Sequence, residues 1–589
     1  MDFADAIRQR LNPSSAAPTV LELDLSRGVL ATAPSGPREA LRSLHAPTMR
    51  AVREGLRAAA TDDTVAGLVI HVAEGNLSLT QADEIGALIS AFAKHKPTLA
   101  QVESFGELTS GLVGYRLASH AQQIWLQPSG GLGLNGLSAE VMLLRGTLDK
   151  VGIEPEFSQR HEYKTAANQF AAHEVTGPQR EMMQRIVDSV LEDTVAEVAA
   201  NRSLDPDAVR EAVGASPLTA TEAERRGLVD RVGYRDEAYA WVKENWGRVG
   251  DDGPEVTLKF VHRWAKEKLG NGVVQQLRDK KRAAIAVVGV HGGIVTGPSQ
   301  PGGLGGQTAG SDTVCAHLRA AGADSSVKAV VLRVDSPGGS YVASDAIRRE
   351  VLRLRETGRP VVASMGGAAA SGGYFVSMGA DKVVAGAATL TGSIGVLAGK
   401  MVTAGLTERI GLVREELTAG ENAAMFSTLH PFTDAQRAKL DAWLDEVYED
   451  FTRKASADRK LPYETLEPLA RGRVWTGSDA VARGLVDEIG GMDTAIDHAC
   501  VLAGVDRDAV VARGVPAVPF LSQFRPADSS EAPNAHTSLG SLGLESWGLG
   551  ALDLAAQDGS PEALFRRVTG ALGLTVGGVL SLPYRITLG

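Results

Sequence analysis

The sequence contains little cysteine and has no surplus of positive charge. Only two cysteines, Cys315 and Cys500, occur in 589 residues, which excludes a disulfide framework and permits a reducing compartment. Lysine and arginine number 60 against 71 acidic residues, for a net charge of −11. Because sequence-independent binding to nucleic acid needs clustered basic side chains, we expect no nucleic-acid partner.

Long hydrophobic runs are also missing. Residues 1–18 carry four charged side chains and no long apolar run, so we predict neither a secretory signal nor a membrane anchor there. The uncharged stretch Val568–Leu582 has fifteen residues, fewer than the ~20 that a spanning helix needs. It could touch a membrane surface or simply pack. We therefore expect a cytoplasmic or peripherally membrane-associated protein.

An internal duplication organises the chain. A composition of 44 % hydrophobic and 22 % charged residues is typical of globular proteins, and 589 residues are too many for one core. The sequence repeats itself at a distance of about 260 residues. Gln179-Arg180 recurs as Gln436-Arg437, and the run Arg-Gly-Leu-Val-Asp at 226–230 recurs at 483–487. This register predicts two homologous domains.

The domain boundaries follow from the repeat and from changes in composition. We predict a first repeat at 19–245 and a second at 282–505, with a short N-terminal segment at 1–18. A charged, helix-prone connector joins the repeats at 246–281. After about residue 505 the apolar periodicity fades, which predicts a poorly structured, partly flexible extension at 506–589.

Each repeat alternates short β-branched runs with helical patterns. Ala66–Val72 precedes Gln81–Lys94, and Ala329–Val334 precedes Ser344–Glu356. Strands that alternate with helices are typical of βαβ units. The sequence therefore predicts an α/β fold built on mostly parallel sheets.

Two glycine-rich loops follow strands of the second repeat. In the first, Pro337 fixes a turn, and the two glycines that follow allow bare backbone amides to be presented. In the second, Gly366–Gly373, Ser371 stands among residues too small to shield it, at the expected start of a helix whose N-terminus would polarise its hydroxyl. Either loop alone is common in α/β proteins, whereas the two together are much more specific for a catalytic serine.

Several motifs carry a resemblance to a known family. They are Tyr163-Lys164-Thr165-Ala166, Asp335-Ser336-Pro337-Gly338-Gly339, Ala370-Ser371-Gly372-Gly373-Tyr374, Thr389-Leu390-Thr391-Gly392-Ser393-Ile394-Gly395-Val396 and Arg471-Gly472-Arg473-Val474-Trp475-Thr476-Gly477. Over roughly residues 19–505 the chain resembles the signal peptide peptidase A group of bacterial Ser/Lys peptidases, in its long tandem form. The resemblance implies tandem Clp/crotonase-like domains of the ββα superhelix type.

The resemblance also implies the roles of the site residues. The serine of the Ala-Ser-Gly-Gly motif, Ser371, corresponds to the nucleophile, and the lysine of the Tyr-Lys motif, Lys164, corresponds to the general base. The pKa of a lysine in water is about 10.4, so lysine serves as a base only where burial disfavours its charged form. We expect an interface between the repeats to provide that burial and the Ser393 hydroxyl to hold the amine.

The oxyanion of an acyl-transfer reaction needs hydrogen-bond donors. We expect them to be the N–H groups of Gly338 or Gly339 and of Gly372. At an offset of 257 residues, Lys164 lies opposite Glu421, so the second repeat has no lysine of its own.

The first repeat lacks an equivalent of Ser393 and of the glycine-rich loop. Ser110 lies opposite Ser371, but Leu132 stands about where the second repeat has Ser393, and Ala73-Glu74-Gly75 replaces the glycine-rich loop. Each chain is therefore predicted to contain one complete active site, with the nucleophile and the oxyanion loop from the second repeat and the base from the first.

The resemblance further implies partners and the absence of a cofactor. It implies a serine endopeptidase, without metal or cofactor, that cleaves extended peptides with apolar residues such as released signal peptides. Members of the tandem type are tetramers, so we expect a homotetramer. The sequence itself shows no pattern that indicates an oligomer interface. Any membrane contact is expected to be at most peripheral.

Three alternatives remain open. A crotonase-type acyl-CoA enzyme would share the fold and the glycine-loop oxyanion hole but would usually bring a catalytic carboxylate. A non-catalytic peptide-binding scaffold would bind peptides without turnover. A histidine could replace Lys164 as the base, although none recurs at the corresponding repeat position; the candidates are His161, His173, His291 and His317.

Overall fold

The computed structural model describes residues 17–30, 46–72, 77–107, 109–250, 253–269, 282–300, 307–514 and 580–581. Some predictions therefore lie outside the described residues. These are the predictions for residues 1–16, for Ala73-Glu74-Gly75, for residues 270–281 of the connector, and for most of the C-terminal extension.

The chain forms two compact units. The first lies within Met1–Leu137 and Leu191–Arg278, and the second lies within Ser138–Val190 and Asp279–Leu588. Residues 138–190, which include Lys164, thus belong to the first repeat by sequence and to the second unit by their contacts. The helix Gly177–Arg202 contains the boundary between the two groups of residues.

The first unit is built on a parallel sheet of six strands. Their order across the sheet is Thr257–Phe260, Thr19–Asp24, Val65–His71, Thr98–Val102, Gln123–Leu126 and Arg231–Val232. Two short antiparallel pairs accompany it: Arg248–Gly250 with Gly253–Glu255, and Gly131–Leu132 with Leu218–Thr219. Its other helices are Met49–Ala60, Leu79–Ala93, Leu112–Ala118, Pro206–Ala215, Ala220–Arg225, Arg235–Trp246 and Val261–Leu269.

The second unit contains a larger, mostly parallel sheet. Its main path runs through Val474–Thr476, Leu390–Gly392, Val361–Ala370, Val327–Ser336, Ala284–His291 and Val511–Gly514. Lys382–Ala385 also pairs with Val361–Ala370, and Glu488–Ile489 pairs with Lys382–Ala385. The pairing of Val474–Thr476 with Leu390–Gly392 is antiparallel, and the others are parallel. The predicted α/β fold class is confirmed.

Helices and two smaller sheets complete the second unit. Its α-helices are Arg145–Val151, Asn168–Ala171, Ser311–Ala323, Tyr341–Glu356, Gly372–Ser377, Ala404–Arg409, Asp434–Arg459, Tyr463–Leu466, Gly477–Ala482 and Met492–Ala503, and its 3₁₀ helices are Thr165–Ala167 and Glu467–Leu469. Leu397–Val402 pairs antiparallel with Glu154–Gln159. A four-stranded sheet has the order Thr308–Gly310, Gly293–Val295, Gly338–Gly339 and Leu580–Ser581.

The central strand Val327–Ser336 shows why these residues form a buried sheet. Alternate side chains of a strand point to opposite faces. Val330 and Leu332 accordingly join one hydrophobic cluster, whereas Ala329 and Val331 join another on the opposite face. A strand that is buried on both faces has a nearly continuous hydrophobic sequence, as this one does. Its carboxyl end leads directly into the loop that carries Gly338 and Gly339.

The same buried hydrogen bond occurs once in each unit. The hydroxyl of Tyr115 donates to the carbonyl of Leu228 (2.7 Å), and the hydroxyl of Tyr374 donates to that of Leu485 (3.0 Å). Leu228 and Leu485 are separated by the repeat offset of 257 residues. The duplication seen in the sequence is therefore also a duplication of local structure.

Candidate active site

Ser371 occupies a sharp turn between a strand and a helix. It follows the strand Val361–Ala370 and immediately precedes the helix Gly372–Ser377, with φ 55° and ψ −114°. A positive φ is uncommon for a residue other than glycine and is found where the surroundings impose it, frequently at functional sites. The Ser371 amide donates to the carbonyl of Gly392 (2.8 Å), which holds the turn against the neighbouring strand.

Two glycines after Ser371 allow the chain to pack closely at this turn. A Cβ atom on Gly372 would lie 2.7 Å from Ser344 Oγ and 3.1 Å from both Gly338 Cα and Gly339 N. A Cβ on Gly373 would lie 2.6 Å from the carbonyl oxygen of Ser336. The small residues of the motif therefore bring the helix N-terminus against the glycine-rich loop.

The structure brings three of the predicted site residues together. Lys164 Nζ lies 2.9 Å from Ser371 Oγ, 3.0 Å from Ser393 Oγ and 3.2 Å from the Ser393 carbonyl oxygen, all within hydrogen-bonding distance. Of the side chains that the structure describes, Lys164 is the one that hydrogen-bonds the Ser371 hydroxyl. All three residues belong to the second unit.

Burial shifts the protonation equilibrium of the lysine toward the neutral amine. Lys164, Ser371 and Ser393 are each 0 % exposed. Removal of the amine from water disfavours its charged form, and this desolvation lowers the pKa of Lys164 well below its ordinary value. A neutral amine next to a serine hydroxyl can accept the proton of that hydroxyl, which is the chemistry of a general base.

Two further glycines, Gly395 and Gly472, pack against the lysine. A Cβ atom on Gly472, which has φ +80°, would lie 2.5 Å from the N, Cα and Cβ atoms of Lys164. A Cβ on Gly395 would lie 3.2 Å from Lys164 Cδ. The Gly472 amide donates to the carbonyl of Ile394 (2.7 Å), and the Tyr163 amide donates to that of Arg471 (3.2 Å), so backbone hydrogen bonds join the three segments.

Gly395 and Gly472 are functional residues that were not predicted from the sequence. Both stand inside motifs that carried the family resemblance, Thr389–Val396 and Arg471–Gly477. Glycines inside such motifs, without an evident turn, could have indicated a close approach of two backbones. The partner of that approach, Lys164, could not have been read from spacing alone.

The predicted oxyanion donors lie beside the Ser371 turn. Gly338 and Gly339 form a two-residue strand, here called the glycine strand, with φ 104° and 153°. The Gly338 amide donates to Ser336 Oγ (3.1 Å), and that hydroxyl donates to the carbonyl of Gly292 (2.6 Å). The buried side chain of Ser336, which has no predicted role in the site, therefore holds the glycine strand in place. The first amides of the Ser371 helix have no partner within the helix, and that of Gly372 is one of them.

The histidines considered as alternative bases have contacts with residues other than Ser371. The ring of His161 lies 4.5 Å from that of Tyr448, and its Nε2 is 4.0 Å from Glu467. His173 is largely exposed and lies 3.6 Å from Asp149. Burial lowers the pKa of His291 and of His317. In the part of the chain that the structure describes, no group of three His, Cys, Asp or Glu side chains is arranged to hold a metal ion.

The first repeat's serine has a different environment. Ser110 has no positive φ, and its hydroxyl accepts a hydrogen bond from the Leu112 amide at 3.4 Å. Leu132, opposite Ser393 in the repeat register, is fully buried.

Comparison with known proteins identifies the family. The model of Peptidase family S49 matches residues 90–247 and 353–506, just over half of the chain. The chain belongs to peptidase family S49. Because one matched range lies in each repeat, two S49 domains stand in tandem, and the resemblance stated from the motifs is confirmed.

Several proteins with protease names are similar along most of this chain. Protease 4 of Haemophilus influenzae is 33 % identical over 413 residues, which cover 67 % of this chain and 64 % of that protein. The chloroplastic serine protease SPPA of Arabidopsis thaliana is 30 % identical over 446 residues, which cover 74 % and 63 %. Protease 4 of Salmonella typhi is 31 % identical over 399 residues, which cover 66 % and 62 %. The chain thus spans less than two thirds of the length of these relatives.

A solved structure of a ClpP1 variant from Listeria monocytogenes is also similar to this S49 member. It covers 38 % of this chain and 98 % of its own, with 16 % identity and a TM-score of 0.24. Among the described residues, no helix combines the length and the apolar character needed to cross a membrane.

Proposed function

We propose that this S49 member is a serine endopeptidase in which Ser371 is the nucleophile and Lys164 is the general base. The observation that carries the proposal is the 2.9 Å hydrogen bond between Lys164 Nζ and Ser371 Oγ, at a site where both side chains are buried and burial lowers the pKa of the amine. Ser393, with its hydroxyl 3.0 Å from the same amine, orients the base.

The proposed reaction has two halves. Ser371 Oγ attacks the carbonyl carbon of the scissile peptide bond while its proton passes to Lys164 Nζ. The C–N bond then breaks, and the leaving amine takes that proton from Lys164. The acyl group of the substrate stays bound to Ser371. A water molecule attacks the acyl carbon and gives a proton to Lys164. The acid is released, and Ser371 recovers its hydrogen.

The oxyanion that forms in each half requires N–H donors. We assign this role to the amides of Gly372 and of the glycine strand. A Cβ atom built on Gly372 would lie 3.1 Å from Gly339 N. The backbones of the two segments are therefore close together, which supports the assignment. Of the two residues in the strand, Gly338 donates its amide to Ser336 Oγ and Gly339 lies opposite Leu580 in an antiparallel pair, so the role is assigned to Gly338 or Gly339 without a preference.

The proposed substrates are extended peptides with apolar side chains, such as released signal peptides. A relative from Enterococcus faecium, 33 % identical over 30 % of this chain and 51 % of that protein, bears the name putative signal peptide peptidase SppA. An extended peptide can add to a sheet edge through its main chain and leave its side chains to determine specificity. No metal or cofactor takes part in the proposed reaction.

A covalent label tests the nucleophile directly. We expect a fluorophosphonate probe to stop hydrolysis of casein and of an unstructured Leu/Ala peptide, with one probe attached to the tryptic peptide that contains Ser371. Ser110 serves as the internal control because it has an ordinary backbone conformation and no lysine partner. Labelling of Ser110, or full peptidase activity in a fully labelled protein, would overturn the assignment.

We also propose that the protein is a homo-oligomer, with four copies as the expected number. In the second unit, a segment without regular strands exposes several large apolar side chains: Ile410 (67 %), Val413 (91 %), Leu417 (88 %) and Phe426 (63 %). Large exposed apolar side chains concentrated in one segment are typical of interaction surfaces. A second copy of the chain is the proposed partner of this surface.

Charge on this surface should weaken the oligomer. For Val413→Asp combined with Leu417→Asp, we expect light scattering after gel filtration to report a lower mass, because two carboxylates would have to be desolvated. Val501→Asp is the control, since Val501 is 77 % exposed on the separate helix Met492–Ala503. An unchanged mass for the double variant would place the interface elsewhere.

A further inference from the structure

Arg473 connects the two segments that meet at the Lys164 amine. Its backbone carbonyl accepts a hydrogen bond from the Ser393 amide (2.7 Å). Its guanidinium carbon lies 4.6 Å from the centre of the Tyr163 ring, and Tyr163 immediately precedes Lys164 in the chain. One residue therefore contacts both the segment that carries Ser393 and the segment that carries the proposed base.

The Arg473 guanidinium lies over two aromatic rings. Its carbon is 4.5 Å from the centre of the Trp475 ring, in addition to its contact with Tyr163. Nη1 lies 2.8 Å from a carboxylate oxygen of Glu181, whereas the buried Nε has no hydrogen-bond partner among the residues that the structure describes. The guanidinium of arginine is planar and stacks on aromatic rings, whereas the ammonium of lysine is a compact point charge. We call Tyr163, Arg473 and Trp475 the arginine stack.

The arginine stack is anchored next to Ser393. The buried indole of Trp475 donates from Nε1 to the carbonyl of Leu469 (2.9 Å). A Cβ atom on Gly392, the residue before Ser393, would lie 3.0 Å from Trp475 Cδ1 and 3.1 Å from the Arg473 carbonyl oxygen. The backbone that leads into Ser393 is therefore packed against two members of the stack, and Tyr163 is the member that extends the contact to the lysine segment.

The first repeat does not carry the residues of the stack. At the repeat offset of 257 residues, Ser216 and Leu218 stand opposite Arg473 and Trp475. The repeat that lacks an equivalent of Ser393 and of the glycine-rich loop thus also lacks the arginine and the tryptophan. A role in the domain core alone would apply to both repeats, so the difference favours a role at the site.

We propose that Arg473 is a positioning residue that, through the arginine stack, holds Lys164 Nζ at its distance from Ser371 and Ser393. The inference rests on the proposed peptidase function and adds to it a residue that does not touch the reacting atoms. Without the stack, the segment of Tyr163 and Lys164 can shift while the Ser371 turn keeps its own hydrogen bonds. A shift of about 1 Å at a reacting group is enough to lower a rate by about a hundredfold.

Arg473→Met removes the planar cation and keeps an unbranched side chain. We expect kcat for an unstructured Leu/Ala peptide to fall by about ten- to a hundredfold, with KM within about threefold of wild type. The rise of kcat/KM with pH should move to higher pH, because burial lowers the pKa of a displaced and more exposed Lys164 amine less. Arg473→Lys restores the charge without the planar group and should resemble the methionine variant. A wild-type kcat in Arg473→Met, or full rescue by Arg473→Lys, would overturn the inference.

Arg483→Met is the matched control. The Arg483 guanidinium carbon lies 3.9 Å from the centre of the Trp475 ring, and its Nη1 donates to Asp479 (2.9 Å). This ion pair recurs in the first repeat as Arg226 with Glu222 (3.1 Å), which indicates a structural role. The control variant should therefore lower the urea midpoint and leave kcat and the pH profile unchanged. Equal losses of kcat in the two arginine variants would show general destabilisation and overturn the inference.

Labelling by a fluorophosphonate probe separates the inference from the proposed function without peptide turnover. The labelling rate of Ser371 is measured in Lys164→Met, in Arg473→Met and in the double variant. If Arg473 acts through the lysine, Arg473→Met slows labelling when Lys164 is present and adds nothing in the Lys164→Met background. An equal slowing in both backgrounds would overturn the inference alone. Wild-type labelling in Lys164→Met would overturn the lysine base and the inference with it.

Discussion

Lys164→Met should lower kcat/KM for a Leu/Ala peptide by about a thousandfold, because a general base typically contributes a factor of 10² to 10⁴. Methionine has a length similar to that of lysine and suits a site that is buried in the protein, so the variant should remain folded. It cannot accept the Ser371 proton. Lys150→Met is the matched control, since Lys150 is an exposed lysine of the same segment. Activity within tenfold of wild type in the Lys164 variant would remove the lysine from the mechanism.

The pH profile of the wild type tests the same residue in another way. Only the neutral amine accepts a proton, so kcat/KM should rise with pH through the pKa of Lys164. Burial lowers that pKa well below the ordinary value, and the rise should therefore be centred at a lower pH than the titration of a solvent-exposed lysine. A rise centred near the ordinary lysine value of about 10.4 would indicate a solvent-exposed amine and contradict the burial argument.

Stability should depend on pH through the same amine. Between the lowered folded pKa and the unfolded value of about 10.4, the unfolded chain carries a proton on Lys164 that the folded chain lacks. The free energy of unfolding therefore rises with pH, by up to about 1.4 kcal/mol per unit, because the cost of burying the lysine grows as pH falls and disappears above the unfolded pKa. We expect this component of the slope to be absent from Lys164→Met in urea titrations at several pH values.

The sequence predicted which residues form the site more fully than it predicted how they are arranged in space. Ser371, Lys164 and Ser393 were named from motifs, and the structure places them within hydrogen-bonding distance. Their chemical roles remain predictions. The repeat boundaries follow homology, whereas the contacts group residues 138–190 with the second unit. No pattern within residues 138–190 indicates this grouping, because it depends on packing partners more than two hundred residues away.

The fold was predictable where periodicity is strong. The strand Val327–Ser336 is long, β-branched and buried on both faces, and its pattern is visible in the sequence. The glycine strand and Leu580–Ser581 have two residues each, too few for any period. They are strands only because each has a partner. The sheet edge next to the nucleophile could therefore be found only in three dimensions.

Gly472→Ala should reduce kcat by about a hundredfold or more, with the cause in the position of the lysine. The new Cβ would lie 2.5 Å from three atoms of Lys164, two of them backbone, so this segment must move. A shift of about 1 Å at a reacting group is enough for a loss of about a hundredfold. The pH profile should change with it, because a displaced amine has a different exposure to water.

Gly358→Ala separates this effect from ordinary backbone strain. Gly358 also has φ +80°, but a Cβ there would meet no atom within 4 Å. Its alanine variant should therefore lose only about 1 kcal/mol of stability from the left-handed conformation and keep the wild-type kcat and pH profile. Equal kinetics in the two variants, with equal losses of stability by urea unfolding, would mean that Gly472 is needed for its φ alone. A selective loss of kcat in Gly472→Ala would show that close backbone packing holds the base at its working distance.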